Sequence, residues 1–145
     1  MSFELDHFLP YRLAVAAAQV SRRFAALYEA EAGLSIPEWR VLAHLAGSGP
    51  VSVRDINARV NLDKSVVSRA ATRLEQAGLL CKSSDESDQR LVALELTDTG
   101  RALMDRLGRI ADGFQAQLLA ELGEDGPHLS RMLDRLLAPQ GDPPR

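Results

Sequence analysis

The 145-residue sequence holds one cysteine, one tryptophan and three histidines, and it has no long apolar run. A lone cysteine cannot form an internal disulfide, which fits a reducing cytoplasm. No apolar stretch approaches the roughly 20 residues a helix needs to span a bilayer, so no membrane contact is expected. The N-terminus lacks the basic start and apolar run of a secretory signal. His7, His44 and His128 are far apart in sequence. None has the close spacing of a metal-binding cluster, so neither a metal nor another cofactor is expected. Enzyme chemistry finds no support either: there is no glycine-rich phosphate loop, no nucleophile motif and no carboxylate pair in an evident cleft. Repeats and low-complexity segments are also missing.

What remains is a chain long enough for one full core and too short for two ordinary domains. Its 46% hydrophobic and 26% charged residues are ordinary for a soluble protein. The net charge of −3 argues against a non-specific nucleic-acid binder, which would be basic overall. Local charge differs. From Ser52 to Lys82 the six cations Arg54, Arg59, Lys64, Arg69, Arg73 and Lys82 stand against the three anions Asp55, Asp63 and Glu75, which leaves +3. Both lysines of the chain lie there. A basic face on an acidic body suits sequence-specific binding with weak background affinity.

The stretch from Ser52 to Leu96 reads as helix, tight turn, helix and hairpin. Ser52 with Asp55 makes a variant capping box, and Val53, Ile56 and Val60 give a short helix one apolar side. Asn61 and Leu62 break it. Asp63 can cap the next helix, which runs to about Ala77, where Gly78 supplies a left-handed stop. That helix has two chemistries. Val66, Val67, Ala70, Ala71 and Leu74 fall on one side; Lys64, Ser65, Ser68, Arg69, Thr72 and Arg73 fall on the other. A helix that reads a DNA major groove needs such a row. Short hydroxyls let its first turns approach base edges, and arginine grips guanine or phosphate through two parallel bonds. Arg69 and Arg73 are the leading candidates for base or phosphate contact, with Ser65 and Ser68 next, while Arg54 and Lys64 suit phosphates. Arg73 has an alternative role, pairing with Asp88 or Glu75 to hold the hairpin.

After Gly78 the period changes. Leu80 to Lys82 reads as a short strand, Ser83 to Gln89 as a polar turn, and Arg90 to Leu96 as an alternating strand. A hairpin beside a helix-turn-helix makes a winged helix. Asp88 lies two residues before Arg90, hence on the same face of an extended chain. The pair reads as an ion pair that aims Arg90 at a minor groove or its phosphates.

On either side lie longer helices. Pro10 suits a first helical turn, and Leu13, Ala17, Val20, Phe24 and Leu27 recur at helical steps from Tyr11 to about Glu31, where Gly33 stops the run. Ser35 with Glu38 makes a capping box for a helix carrying Trp39, Leu42, Ala43 and Leu45, followed by a loop from Gly47 to Pro50. Thr97 caps a long helix to about Leu122, with Leu103, Leu107, Ile110, Phe114 and Leu118 as its stripe. Gly123 to Gly126 turns the chain, and Pro127 starts a last helix with Leu129, Met132, Leu133 and Leu136 on one side. The fold class is therefore mainly α with a small β-hairpin wing: a winged helix-turn-helix flanked by long terminal helices. Its regions are 1–34 with 98–138 for dimerisation, 35–97 for DNA binding, and 139–145 as a frayed tail. The apolar segment Met1 to Leu9 is expected to pack on a partner subunit. A two-fold dimer would set two recognition helices about one DNA turn (~34 Å) apart on a pseudo-palindrome.

The segment from Gly33 to Leu107 resembles the winged-helix regulators named after the multiple antibiotic resistance repressor, MarR. The residues that carry the resemblance are Gly33-Leu34-Ser35 leading into Trp39-Arg40-Val41-Leu42, then Ser65-Val66-Val67-Ser68-Arg69 with Arg73-Leu74-Glu75 and Gly78-Leu79. The hairpin motif Asp85-Glu86-Ser87-Asp88-Gln89-Arg90 and the exit Leu96-Thr97-Asp98-Thr99-Gly100 complete it; the two together are specific, and either alone is weak. The resemblance implies a homodimeric, ligand-responsive transcription regulator of the cytoplasm, a repressor released from a double-stranded DNA operator by a small molecule such as an aromatic acid or related anion. Phe8, Tyr11 and Trp39 are candidates to line its ligand pocket, with Arg12, Arg22 or Arg40 to hold a carboxylate. Trp39 also reads as core. Peroxide-sensing relatives carry their reactive cysteine near the N-terminus, where this chain has none, so Cys81 reads as a small buried apolar residue rather than a redox sensor. The competing functional readings are a winged helix that docks on another protein without binding DNA, and a redox-responsive regulator acting through Cys81.

Overall fold

The computed structural model describes residues 2–60, 62–84 and 92–139. A 3-10 turn at Leu5–His7 precedes α1 (Leu9–Ala32), α2 (Ile36–Ser48), β1 (Val51–Ser52), α3 (Val53–Arg59), α4 (Lys64–Gln76), β2 (Leu80–Ser84), β3 (Val92–Leu96), α5 (Asp98–Leu122) and α6 (Asp125–Leu137). The chain forms two compact units, Met1–Ile110 and Ala111–Arg145, with α5 running through the boundary.

Three of the helix limits follow their expected signals and three depart from them. Gly33 ends α1 at φ 67°, a conformation that costs glycine nothing. Ser35 and Glu38 form the full capping box of α2: the Ser35 hydroxyl accepts from the Glu38 amide at 3.3 Å, and Glu38 accepts from the Ser35 amide at 3.3 Å and its hydroxyl at 2.6 Å. Ser52 caps α3 by accepting from the Asp55 amide at 3.1 Å. Asp63 holds the N-cap position of α4 in extended geometry, yet its side chain makes no capping bond. The expected carboxylate cap is thus not made by Asp63. α2 runs two residues into the expected Gly47–Pro50 loop, because Gly47 and Ser48 still find helical partners before Gly49 turns out at φ 69°. α6 begins at Asp125 rather than Pro127. A proline in the first turn loses no helical bond, so it need not be the first residue.

The sheet is antiparallel with order β1-β3-β2, one strand more than a hairpin. β2 pairs with β3 from Leu80↔Leu96 to Ser84↔Val92, and the two residues of β1 pair on the other edge of β3, Val51↔Leu94 and Ser52↔Ala93. Two residues leave no periodic trace in a sequence; β1 exists because the free edge of β3 offers it backbone partners. Leu80, Leu94 and Leu96 face inward and meet Val41, Leu42 and Leu45 of α2, Ile56 and Val60 of the α3 segment, Val67, Ala70, Ala71 and Leu74 of α4, and Leu103 and Leu107 of α5. This is the core of the first unit.

One core-side expectation fails. Cys81 is exposed, with its Sγ only 3.7 Å from the Glu95 carbonyl. Alternation decides it: Leu80 points into the core, so the next residue on the strand must point out.

Candidate nucleic-acid interface

α4 is positioned by its apolar side. Val67, Ala70, Ala71 and Leu74 are buried and Val66 half-buried, which turns the opposite side of the helix to solvent. Lys64, Ser65, Ser68, Arg69 and Arg73 are all exposed on that side. The structure thus brings together on one surface the residues that the periodicity placed on one face. Among the described residues Arg69 has no hydrogen-bond or ion-pair partner, and Arg54, exposed on α3, has none either.

Thr72 differs from its neighbours. It is half-buried, its hydroxyl donates to the Ser68 carbonyl at 3.0 Å, and it accepts from Lys82 Nζ at 3.3 Å. Its hydrogen-bonding capacity is largely engaged within the protein. Lys82 also lies 3.8 Å from Glu75. Of the two partners expected for its alternative role, Asp88 lies outside the described residues, and Arg73 is not paired with Glu75: its Nε lies 3.6 Å from Glu38 of α2. Asp88 and Arg90, with the rest of the hairpin tip, lie outside the described residues, as does the expected tail beyond Pro139. The sequence showed Lys82 only as part of the local charge and Glu38 only as a capping residue; their contacts with Thr72, Glu75 and Arg73 were not foreseen. A capping box signals where a helix begins, and nothing in it says which distant arginine the glutamate will meet.

The residues named for a ligand fall in three places. Tyr11 and Arg12 line an open groove of about 610 Å³ along the start of α1, together with Asp6, Leu9 and Gln19. Phe8, next to that groove in sequence, packs edge-on against Phe3 with ring centres 5.3 Å apart. Arg22 lines a second cleft of about 530 Å³ where α1 meets the start of α2, with Glu29, Ser35 and Glu38. Trp39 belongs to an aromatic cluster: it stacks on Tyr28 at 5.4 Å and 15° and meets Phe24 edge-on at 5.0 Å. It is half-buried and packs on the core. Burial pushes the Tyr28 phenol above its ordinary value, with the nearby Arg40 charge opposing and Glu29 adding to the rise. Among the described residues no cluster of histidine, cysteine and carboxylates is arranged to hold a metal. No described helix is long and apolar enough to cross a membrane.

The sequence model of the MarR family matches residues 32–91, from the end of α1 to just before β3. The HTH-type transcriptional regulator TtmR of Methylorubrum extorquens (strain PA1) is 32% identical over 140 residues, which cover 94% of this chain and 71% of that protein. Among solved structures, the MarR family transcriptional regulator SPO1453 from Silicibacter pomeroyi DSS-3 superposes with a TM-score of 0.78 at 28% identity, over 93% of this chain and 99% of the other. NadR in complex with 4-hydroxyphenylacetate gives 0.78 at 25% identity, over 97% of this chain and all of the other. The exposed basic row of α4 lies inside the matched stretch, and the chain belongs to the MarR family of winged helix-turn-helix transcriptional regulators.

Proposed function

We propose that this regulator is a homodimeric repressor that lays α4 of each subunit in a major groove of a pseudo-palindromic operator and lets go when a small aromatic acid binds. The observation that carries the reading is the division of α4 into a buried alanine–valine–leucine side and an exposed side of Lys64, Ser65, Ser68, Arg69 and Arg73. Arg69 and Arg73 contact bases or phosphates, Ser65 and Ser68 approach base edges, and Arg54 and Lys64 bind phosphates. Thr72, with its hydroxyl engaged, contributes through its methyl group or backs up Lys82. Arg90, aimed by Asp88, takes the minor groove.

The dimer is supported by apolar surface that one chain leaves uncovered. In the first unit Phe3 (72% exposed), Leu9 (65%) and Leu13 (46%) are bare, and in the second unit so are Met132, Leu136 and Leu137. A soluble chain with this much exposed apolar area gains by sharing it with a second copy. The working compartment is the cytoplasm, where such an operator lies.

An aromatic-acid effector is supported by the hydroxylated phenylacetate held by NadR. It is also supported by the pairing of Tyr11 with Arg12 in one groove. Phe8, Arg22, Trp39 and Arg40 are the remaining candidates. Because both recognition helices must engage together, a ligand that alters their spacing weakens operator binding without touching either one.

The test is selection of bound DNA from a random duplex library, followed by gel shift of the selected site with and without 4-hydroxyphenylacetate. A palindromic consensus bound at two chains per duplex is expected. No enrichment over input, or a non-palindromic site bound by one chain, would overturn the reading.

A further inference from the structure

We infer that Glu38, at the start of α2, is a positioning residue for DNA readout: it holds Arg73 by one edge of the guanidinium and leaves the other edge for the operator. The inference rests on the reading of α4 as the helix that meets DNA. A guanidinium carries five N–H donors in a flat fork, and its two terminal nitrogens together match a phosphate or the O6/N7 edge of guanine. The Glu38 carboxylate sits against Nε at 3.6 Å, and the terminal nitrogens have no partner among the described residues. The Arg73 side chain is 50% exposed, whereas that of Glu38 is only 16% exposed.

Glu38 is itself immobilised. The oxygen that faces Arg73, Oε1, also accepts from the Ser35 hydroxyl at 2.6 Å and the Ser35 amide at 3.3 Å. The anchor for a side chain on the recognition helix is thus a capping box on another helix, packed against the same core. An arginine on the last turns of a helix otherwise samples many rotamers and loses that freedom on binding. A carboxylate fixed by two bonds removes part of the loss before DNA arrives. It also explains why this box uses glutamate: glutamine completes a capping box equally well but carries no charge.

That equivalence supplies the experiment. Glu38→Gln in the full-length protein keeps the cap and removes the attraction to Arg73. The expected result is an unchanged thermal midpoint with operator affinity reduced about three- to fivefold, the size of a partly exposed ion pair. In an Arg73→Ala background the same change is expected to alter affinity less than about twofold, because its target is gone. Ser35→Ala serves as the folding control, lowering the thermal midpoint by loss of the cap. Equal operator affinity for wild type and Glu38→Gln overturns the inference while leaving the function reading intact. So does an equal loss with and without Arg73, or a loss of affinity matched by a fall in thermal midpoint to the level of Ser35→Ala. Failure of the wild type to bind any selected DNA overturns both.

Discussion

Gly100 of α5 lies directly against the carbonyl of Leu79: a Cβ at position 100 would stand 2.0 Å from that oxygen. The approach is so close because Thr97 ties the two segments together. Its hydroxyl donates to the Gly78 carbonyl at 2.6 Å and accepts from the Gly100 amide at 3.0 Å, and its own amide donates to the Leu79 carbonyl at 3.1 Å. The Leu-Thr-x-x-Gly exit of the hairpin therefore locks the start of α5 onto the Gly78–Leu79 turn that follows α4. Gly100→Ala forces backbone apart, so it is expected to cost about 3 kcal/mol, at the upper end for overpacking. Urea unfolding checks it; a loss below about 1 kcal/mol would show that the contact relaxes freely.

The two sides of α4 are expected to fail in different assays. Arg69→Ala removes an exposed cation that has no partner among the described residues, and should cost roughly 1–3 kcal/mol of operator affinity with the thermal midpoint unchanged. Leu74→Ala empties a fully buried site and should cost about 2–5 kcal/mol of stability. Paired gel-shift and thermal measurements separate them. Arg69→Ala with full affinity would remove this residue from the interface.

Salt should discriminate phosphate contacts from base contacts. The logarithm of operator affinity is expected to fall linearly with the logarithm of salt, by about 0.9 per phosphate contacted. Lys64→Ala should reduce that slope by about 1. Titrations by fluorescence anisotropy measure both, and a flat titration for the wild type would contradict phosphate contact altogether.

The N-terminal segment up to the first residue of α1 should matter to assembly. Removing residues 1–9 takes away Phe3, Phe8 and Leu9, all exposed in the single chain. Sedimentation at low protein concentration is expected to show a weaker dimer. A dimer as tight as that of the intact chain would place the interface elsewhere.

Tyr28 is expected to contribute to a loss of stability at alkaline pH. Its phenol is buried and its pKa lies above the ordinary 10.0, so the folded state holds the proton more tightly than the unfolded state does. The stability this contributes is fully present below about pH 10 and is lost as pH rises through the folded value. Tyr28→Phe should flatten the alkaline decline in urea midpoint. A decline unchanged by the substitution would assign it to other groups.

Much of the fold was legible because local chemistry and packing agree. Apolar spacing marked the two sides of α4, Ser35 and Ser52 marked helix starts, Gly33 and Gly78 marked stops, and alternation marked β3. These signals arise from the 3.6- and 2-residue periods of the backbone and from groups a few residues apart, so a linear sequence carries them. The basic row from Lys64 to Arg73 was legible on the same ground.

Other features depended on residues that only the folded chain brings together. β1 is a strand because β3 has an edge to spare; Cys81 is exposed because Leu80 fills the core; Arg73 meets Glu38 rather than Glu75 because α2 packs beside α4. Thr72 loses its freedom to a lysine ten residues away on another element. Periodicity thus fixed which face of each helix is polar, while the packing of one element on another decided which polar groups on that face are free to meet a partner. A side chain's periodic position is a property of its own segment, but its hydrogen-bond partners are a property of the whole fold.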